Sequence, residues 1–305
     1  MSSNERNENP FFTIVTPSYN QGRFIRRTIE SVISQNFDSL EYLIFDGGSS
    51  DETLSVLKTC ENSIHWISER DRGQTDAVNK GLRAAKGQVI GWLNSDDIYY
   101  LGALQTVQDV FIKHPEISIL YGMADHIDEN DGTIEPYYNE DWNYDRLKET
   151  CYICQPAVFF RRFIVDQFGM LDEALKYCMD YEYWLRIGKE TPFYYLKEKL
   201  AGSRLYHDTK TLGSAVSVHE EILRMFKRKF GHIPDKWIFA HAHAVARSLG
   251  LKRGNPKDEL QLVLRLIWVS ISDSLRMQYF IPFSLLKVIS SWFMMAIKNW
   301  IKYKG

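Results

Sequence analysis

Short apolar runs alternate with helical periodicity through the first half of the chain. Phe12 to Thr16 reads as a buried strand that Pro17 ends, and Ile25, Ile29, Val32 and Ile33 then share one helical face. Glu41 to Phe45 gives a second strand, followed by Asp46-Gly47-Gly48, a turn that uses glycine's backbone freedom. Ser49 and Glu52 have capping-box spacing and open a helix through Leu54 and Leu57. A third strand is expected at His65 to Ser68. A helix carrying Ala77, Val78, Leu82 and Ala85 then stops at Gly87, read as a C′ glycine. Gln88 to Leu93 makes a fourth strand, with Asn94-Ser95-Asp96-Asp97 at its carboxyl end. A helix with Leu104, Val107 and Phe111 and a strand at Ile117 to Tyr121 follow.

This alternation predicts an α/β fold, a mostly parallel central sheet with helices on both faces. Ligands bind such sheets beyond the carboxyl ends of the strands. The polar stretches 17–20, 46–50, 69–74 and 94–97 all fall there, so a site is expected at that edge whatever any single motif says. From about residue 123 the pattern changes. Asp131-Gly132 between Ile127 and Ile134 predicts a hairpin, Ala157 to Phe160 a strand, and Asp180 to Ile187 a helix. Short strands are expected at Phe193 to Leu196 and Leu200 to Leu205, and helices from Ser214 to the end.

With 305 residues the chain is long enough for one large α/β domain and an appendage, or for two modest domains. Its 45% hydrophobic and 25% charged content is that of a globular protein, and a net charge of −2 gives no reason to expect a nucleic-acid partner. Four cysteines are too few for a disulfide-built module, and Cys151-Tyr152-Ile153-Cys154 lacks the second pair a zinc site needs, so ordinary buried thiols are expected. Met1 to Pro10 has no apolar core of a signal peptide, which makes the cytoplasm the expected location.

Asp96-Asp97 after an apolar strand is the most informative pair. Strand-end carboxylates beside a polar crevice suit a hard cation such as Mg2+ or Mn2+. An aspartate at a loop-to-helix junction is equally an N-cap. Asp46, before two glycines, suits a hydrogen bond to a base or ribose, or simply the turn itself.

Taken together, Thr13-Ile14-Val15-Thr16-Pro17-Ser18-Tyr19-Asn20, Phe45-Asp46-Gly47-Gly48-Ser49-Ser50-Asp51-Glu52-Thr53, Asp71 to Gly81 and Gly91-Trp92-Leu93-Asn94-Ser95-Asp96-Asp97 resemble the family 2 glycosyltransferases of the GT-A fold. The matches are ordered and correctly spaced over about residues 11–115. The resemblance implies a nucleotide-sugar site in which Thr16, Pro17 and Tyr19 line the nucleotide pocket and Asp46 reads the base, uracil being the usual one. Gln74 and Asn94 would lie at the donor, Asp96 at ribose or sugar, and Asp97 on a divalent metal, Mn2+ or Mg2+. Ser95 stands where the family often has the first aspartate of an Asp-x-Asp motif. Tyr177 to Arg186 resembles the family's catalytic region, with Met179 where Glu is common; Asp180 matches the base, and Glu182 is the reserve base or an acceptor contact. Gln155 resembles an acceptor contact, and His207 a ligand of metal or diphosphate. The implied organisation is a catalytic domain over 1–213, about 11–122 for the nucleotide sugar and 123–213 for the acceptor, with a helical region over 214–305. The implied activity is inverting transfer from a nucleotide-sugar donor, UDP-sugar first and dTDP-sugar second, to a glycan or lipid-linked acceptor. A non-catalytic nucleotide-sugar-binding scaffold of the same fold is the alternative, although it would have no chemical use for Asp46, Asp96, Asp97 and Asp180 together. A sugar nucleotidylyltransferase is disfavoured by the loop Pro17 to Gly22, which lacks that class's glycine-rich, arginine-bearing form, and a dinucleotide-binding dehydrogenase by the missing G-x-G-x-x-G.

Beyond Asp273 the sequence has no acidic residue but five basic ones, Arg276, Lys287, Lys298, Lys302 and Lys304. Between Phe283 and Tyr303 the polar residues gather on one helical face, the profile of a basic amphipathic helix in a membrane interface. A helix docked on the catalytic domain or on a second subunit of a homo-oligomer is the other reading. Lys287 and Lys298 interrupt it too much for a spanning helix. The expected place is then the cytoplasmic face of a membrane, with peripheral association through 283–305.

Overall fold

The computed structural model describes residues 9–206, 213–251 and 256–304. It falls into two compact units, one of residues 1–147 and 151–206 and one of 148–150 and 207–305.

The first unit holds nine strands in one sheet, β1 (Phe12–Ser18), β2 (Leu40–Asp46), β3 (His65–Ser68), β4 (Val89–Trp92), β5 (Ile98–Tyr99), β6 (Ile119–Ile127), β7 (Thr133–Pro136), β8 (Val158–Arg161) and β9 (Tyr194–Arg204). Their order is β3-β2-β1-β4-β8-β6-β9-β5, with β7 hairpinned on β6. β3, β2, β1 and β4 run parallel, β8 is antiparallel to both its neighbours, and β6 and β9 are parallel again. Between them lie α1 (Ile25–Ile33), α2 (Thr53–Thr59), α3 (Gln74–Ala84), α4 (Ala103–Lys113), α5 (Tyr144–Glu149), α6 (Phe163–Phe168) and α7 (Met179–Gly188). This is the α/β architecture that the alternation predicts. The core joins Phe12 and Ile14 of β1, Ile25, Ile29 and Val32 of α1, Leu104 and Phe111 of α4, and Phe159 of β8, each 2% exposed or less. Complete burial of a side chain of this size contributes on the order of 1.5–3 kcal/mol.

Several local expectations change. β1 runs through Pro17, which pairs in register with Phe45. β4 stops pairing with β1 at Val15–Trp92, so beyond that point β1 has β2 alone as neighbour and the missing N–H of Pro17 costs no ladder bond on the open side. Ser49 caps no helix; α2 begins at Thr53, whose N–H and hydroxyl both go to Asp51. Gly87 has no positive φ. It is glycine because a Cβ there would lie 2.3 Å from the Thr13 backbone nitrogen, and its own N–H donates to Thr13 Oγ1. The two short strands expected at 193–205 are one, β9, which bulges where Gly122, Met123 and Ala124 of β6 meet Leu196, Lys199 and Ala201. β5, only two residues long, had no pattern to announce it.

The second unit is helical as expected, with α8 (Ala215–Phe230), α9 (Asp235–Ser248), α10 (Pro256–Gln278) and α11 (Phe283–Lys304). Residues 148–150 belong to it: Trp237 Nε1 donates to the Lys148 carbonyl at 2.8 Å, and Lys236 pairs with Glu149.

Candidate active site

The loops beyond the carboxyl ends of β1 to β4 are stitched to one another in sequence. Asn20, in the left-handed region at φ 52°, donates its N–H to Ser49 Oγ and accepts from Ser50 N. Gln21 and Gly22 donate their amides to Thr53 Oγ1 and Asp51. Asp46, 2% exposed, accepts from the amides of Gly48 and Ser49 and from the hydroxyls of Ser49 and Ser68. Its carboxylate is therefore occupied in shaping its own loop and tying it to β3. Asp71 then leans over Gly47, where a Cβ would come within 2.7 Å of its carboxylate, and accepts from Gly73 N. Gly73, at φ 115°, turns the chain into α3, the conformation that favours glycine at this junction.

Gln74 is the first residue of α3 and donates to Asn94 Oδ1 at 2.7 Å. Asn94 is the hub of the fourth loop. Its oxygen also accepts from Trp92 Nε1, while its amide donates to Asp97 Oδ2 at 3.1 Å and to Gln155 Oε1 at 2.9 Å. Gln155 returns a bond from Nε2 to the Trp92 carbonyl and is 8% exposed. The structure thus brings Gln74, Asn94, Asp97 and Gln155 into one hydrogen-bonded chain across the sheet edge.

Asp97 is 4% exposed and accepts from the Arg204 backbone N–H at 2.8 Å and from Asn94. Burial, and then the neighbouring charge of Asp96, push its carboxyl up to about 8. Asp96 accepts from the Tyr206 hydroxyl at 3.0 Å. Burial and Asp96 hold that phenol protonated, as a donor must be. Thr28 of α1 fixes the same turn from below, its hydroxyl lying 2.9 Å from the Ser95 carbonyl and 2.8 Å from that of Asp97.

Arg204 opens the stretch Arg204-Leu205-Tyr206-His207 that resembles the family's post-catalytic segment, but the sequence assigns it no role of its own. Its side chain is fully buried and donates from Nε to the Asp96 carbonyl at 2.6 Å, and from its two terminal nitrogens to the Asp128 carbonyl and the Asp131 carboxylate. One guanidinium therefore clamps the Asp96-Asp97 turn to the β6–β7 hairpin. The available signal was an arginine closing the small-residue run Ala201-Gly202-Ser203, because a buried arginine requires partners.

Asp180 occupies the first turn of α7 and is partly buried. The Cys154 thiol is raised chiefly by burial and, to a lesser extent, by Asp97, Cys151 and Asp180. Cys151 is likewise raised by burial and then by Asp180, and all four cysteines are free.

Three expected residues, Thr16, Pro17 and Glu182, are buried. Thr16 is 0% exposed and shares a hydrogen bond with Tyr42 at 3.1 Å, so it is a core residue and does not line a pocket; its buried neighbour Pro17 belongs to the strand. Glu182 is 1% exposed and held fork-to-fork by Arg186 at 3.0 and 2.7 Å, which in turn bonds the carbonyls of Phe168 and Met170. That ion pair locks α7 to the preceding segment. His207 lies outside the described residues. Tyr19, in contrast, is 61% exposed beside the first loop.

Residues 13–168 match the family description Glycosyl transferase family 2. The chain belongs to glycosyltransferase family 2. Chondroitin synthase of Escherichia coli is 29% identical over 220 residues, 70% of this chain and 31% of that protein, so the present glycosyltransferase spans about a third of that relative. S. aureus TarS 1–349, solved with UDP-GlcNAc, aligns at a TM-score of 0.59 and 16% identity, covering 95% of this chain and 89% of that one. A mannosyltransferase from Pyrobaculum calidifontis, solved with GDP-Man and Mn2+, aligns at 0.57 and 14%, covering 97% and 84%. At these identities the structural likeness concerns the fold, and it is the GT-A fold.

The raised Asp97 carboxyl gives this glycosyltransferase a pH signature. An unfolded aspartate titrates near about 4. The folded group holds its proton up to about 8, so its contribution to stability is complete below about pH 4 and is lost as pH rises through 8. Melting followed without divalent ions should show Tm falling from pH 5 to 9, and Asp97→Asn should flatten that slope. An equal slope in the variant would remove Asp97 as its source.

Proposed function

We propose that the chain is an inverting transferase that moves a hexose or N-acetylhexosamine from a nucleotide sugar, a UDP-sugar first and a dTDP-sugar second, to a hydroxyl of a glycan or lipid-linked acceptor in surface polysaccharide or glycoconjugate synthesis. It would act at the cytoplasmic face of a membrane. The observation that carries the reading is the hydrogen-bonded chain Gln74–Asn94–Asp97–Gln155 at the sheet edge. The names of the chondroitin synthase relative and the UDP-GlcNAc complex of TarS support the donor class.

In this reading Tyr19 is the exposed ring against which a nucleotide base would stack. Asp46 acts by fixing the loop that carries Gly47 and Gly48 beneath the nucleotide. Reading of the base by its carboxylate would require Ser49 or Ser68 to release it. Transfer is a single displacement. Asp180 takes the proton of the acceptor hydroxyl as that oxygen bonds to the anomeric carbon, and the bond to the phosphate oxygen breaks with its electron pair leaving on the diphosphate. The anomeric configuration inverts, and no covalent enzyme intermediate forms.

A divalent cation fits the residues present. Asp97 is a buried acid whose ionised form is opposed by burial and by Asp96 more than the Arg204 and Asn94 N–H groups and the Arg204 charge favour it, an imbalance that an added positive charge would correct. Among the described residues no cluster of three or more His, Cys, Asp or Glu could hold a metal by itself. Asp97, with Asp96 beside it, would share Mn2+ or Mg2+ with the oxygens of the donor diphosphate, the usual arrangement for such ions. Bound there, the ion would neutralise charge on the leaving diphosphate. The Mn2+ in the mannosyltransferase complex supports the same choice.

Calorimetric titration with UDP, dTDP and GDP, each with and without Mn2+, tests the donor site. Metal-dependent binding of UDP or dTDP is expected, weakened at least about tenfold in Asp97→Ala. Equal affinity in the variant with Mn2+ present would sink the metal assignment. Absence of binding by every nucleotide would favour a degenerate scaffold, or a donor pocket formed only with the acceptor or a membrane present.

A further inference from the structure

The periodicity of the tail left its apolar residues either lipid-facing or protein-facing, and the structure divides them between the two. Leu285 and Ile289 of α11 are buried. Trp292, on the same helical face, packs against a cluster of Ala242, Ala246, Leu262, Leu266 and Val269 from α9 and α10. Its ring lies 4.9 Å from that of Phe239. This face secures the helix to its own unit. The solvent side is apolar as well. Phe283 is 83% exposed, Met294 67%, and Leu286 and Phe293 just over 40% each. Where α10 turns into α11, Tyr279 and Phe280 are also exposed. Single exposed apolar residues are ordinary, but a stripe running from a turn along successive helical turns is a contact surface.

Its charge indicates the partner. Lys287 and Lys298 are exposed along one edge of the stripe. At the turn, Lys227 of α8 reaches Tyr279, its ammonium 4.6 Å from the ring centre. The sequence from Ser274 to Gly305 has five basic residues and no acidic one. A second copy meeting this stripe across a two-fold axis would set lysine against lysine. No helix among the described residues is long and apolar enough to cross a membrane.

We infer that the α10–α11 turn and the outward stripe of α11 form a docking surface for an anionic lipid bilayer. The apolar side chains enter the boundary of headgroups and acyl chains, and Lys287 and Lys298 lie among the phosphates. The inference rests on the reading of the chain as a transferase at a membrane face, and it names the surface that brings it there. The full chain should sediment with phosphatidylcholine vesicles containing phosphatidylglycerol, and far less with phosphatidylcholine alone. Lys287→Ala with Lys298→Ala should lower the partition about fivefold per lysine, an effect that added salt reduces. Phe283→Ser with Met294→Ser, both at exposed positions, should lower it by about tenfold or more with helicity unchanged by circular dichroism. Sedimentation equal to that of the parent chain in both variants overturns the inference. So does a dimer, seen by light scattering, that the serine variant dissolves in the absence of vesicle binding. UDP titration separates the two readings: lost vesicle binding with intact nucleotide binding condemns the docking surface alone, and the reverse condemns the transferase reading alone.

Discussion

Asp180→Asn should lower the rate of sugar transfer by about a thousandfold while leaving metal-dependent nucleotide affinity unchanged. A positioned general base contributes roughly 10²–10⁴ to such a step, and the substitution removes its proton affinity with almost no change in volume. The first turn of a helix is a favourable place for an anion, so the neutral variant loses little stability beyond about 1 kcal/mol. Donor binding is spared because the loops expected to hold the nucleotide have hydrogen bonds of their own, from Asn20 to Ser49, from Ser68 to Asp46 and from Gln74 to Asn94. The measurement is a single-turnover assay with saturating donor beside a calorimetric titration. Wild-type turnover would reject the assignment outright. A parallel loss of affinity and rate would make Asp180 part of the donor site. Glu182 does not stand in reserve, because Arg186 already holds both its oxygens.

The parallel half of the sheet was legible because each βα unit is local. An apolar run, a polar loop and an amphipathic helix follow one another within about 30 residues, and the candidate residues Asp46, Gln74, Asn94 and Asp97 sit at the loop ends that this order dictates. What periodicity could not supply was the face. All seven residues of β1 are buried, so no alternation of polarity showed that Thr16 turns toward Tyr42 in the core. The antiparallel half depends on contacts far apart in sequence. Its long strand β9 pairs with β6 through bulges, and a bulge breaks the period-two signal that would have joined 194–196 to 200–204. Likewise the sequence marked the chemistry of Asp96-Asp97 but not its support. Thr28, Arg204 and Tyr206 reach that turn from 67 to 110 residues away.

That support carries the second large expectation. Arg204→Met should cost the first unit about 3 kcal/mol, the lower end of the range for breaking a buried ion pair, because Arg27 still lies 3.1 Å from Asp131. For a unit of this size a loss of that order lowers Tm by roughly 6–12 °C. The carbonyls of Asp96 and Asp128 lose the donor that joined them, whereas the backbone N–H of position 204 still serves Asp97. Metal-dependent nucleotide binding should therefore weaken about tenfold through the loosened Asp96, and adding Mn2+ should not restore it fully. Arg204→Lys keeps the charge but offers a point donor in place of a fork, so it should recover part of the Tm and little of the affinity. A variant that melts early yet binds nucleotide like the parent would make Arg204 a staple of the hairpin only. The expected joint loss would show that the ends of β4 and β9 hold the carboxylate turn between them, and that the donor site depends on a strand whose first half lies far from it in sequence.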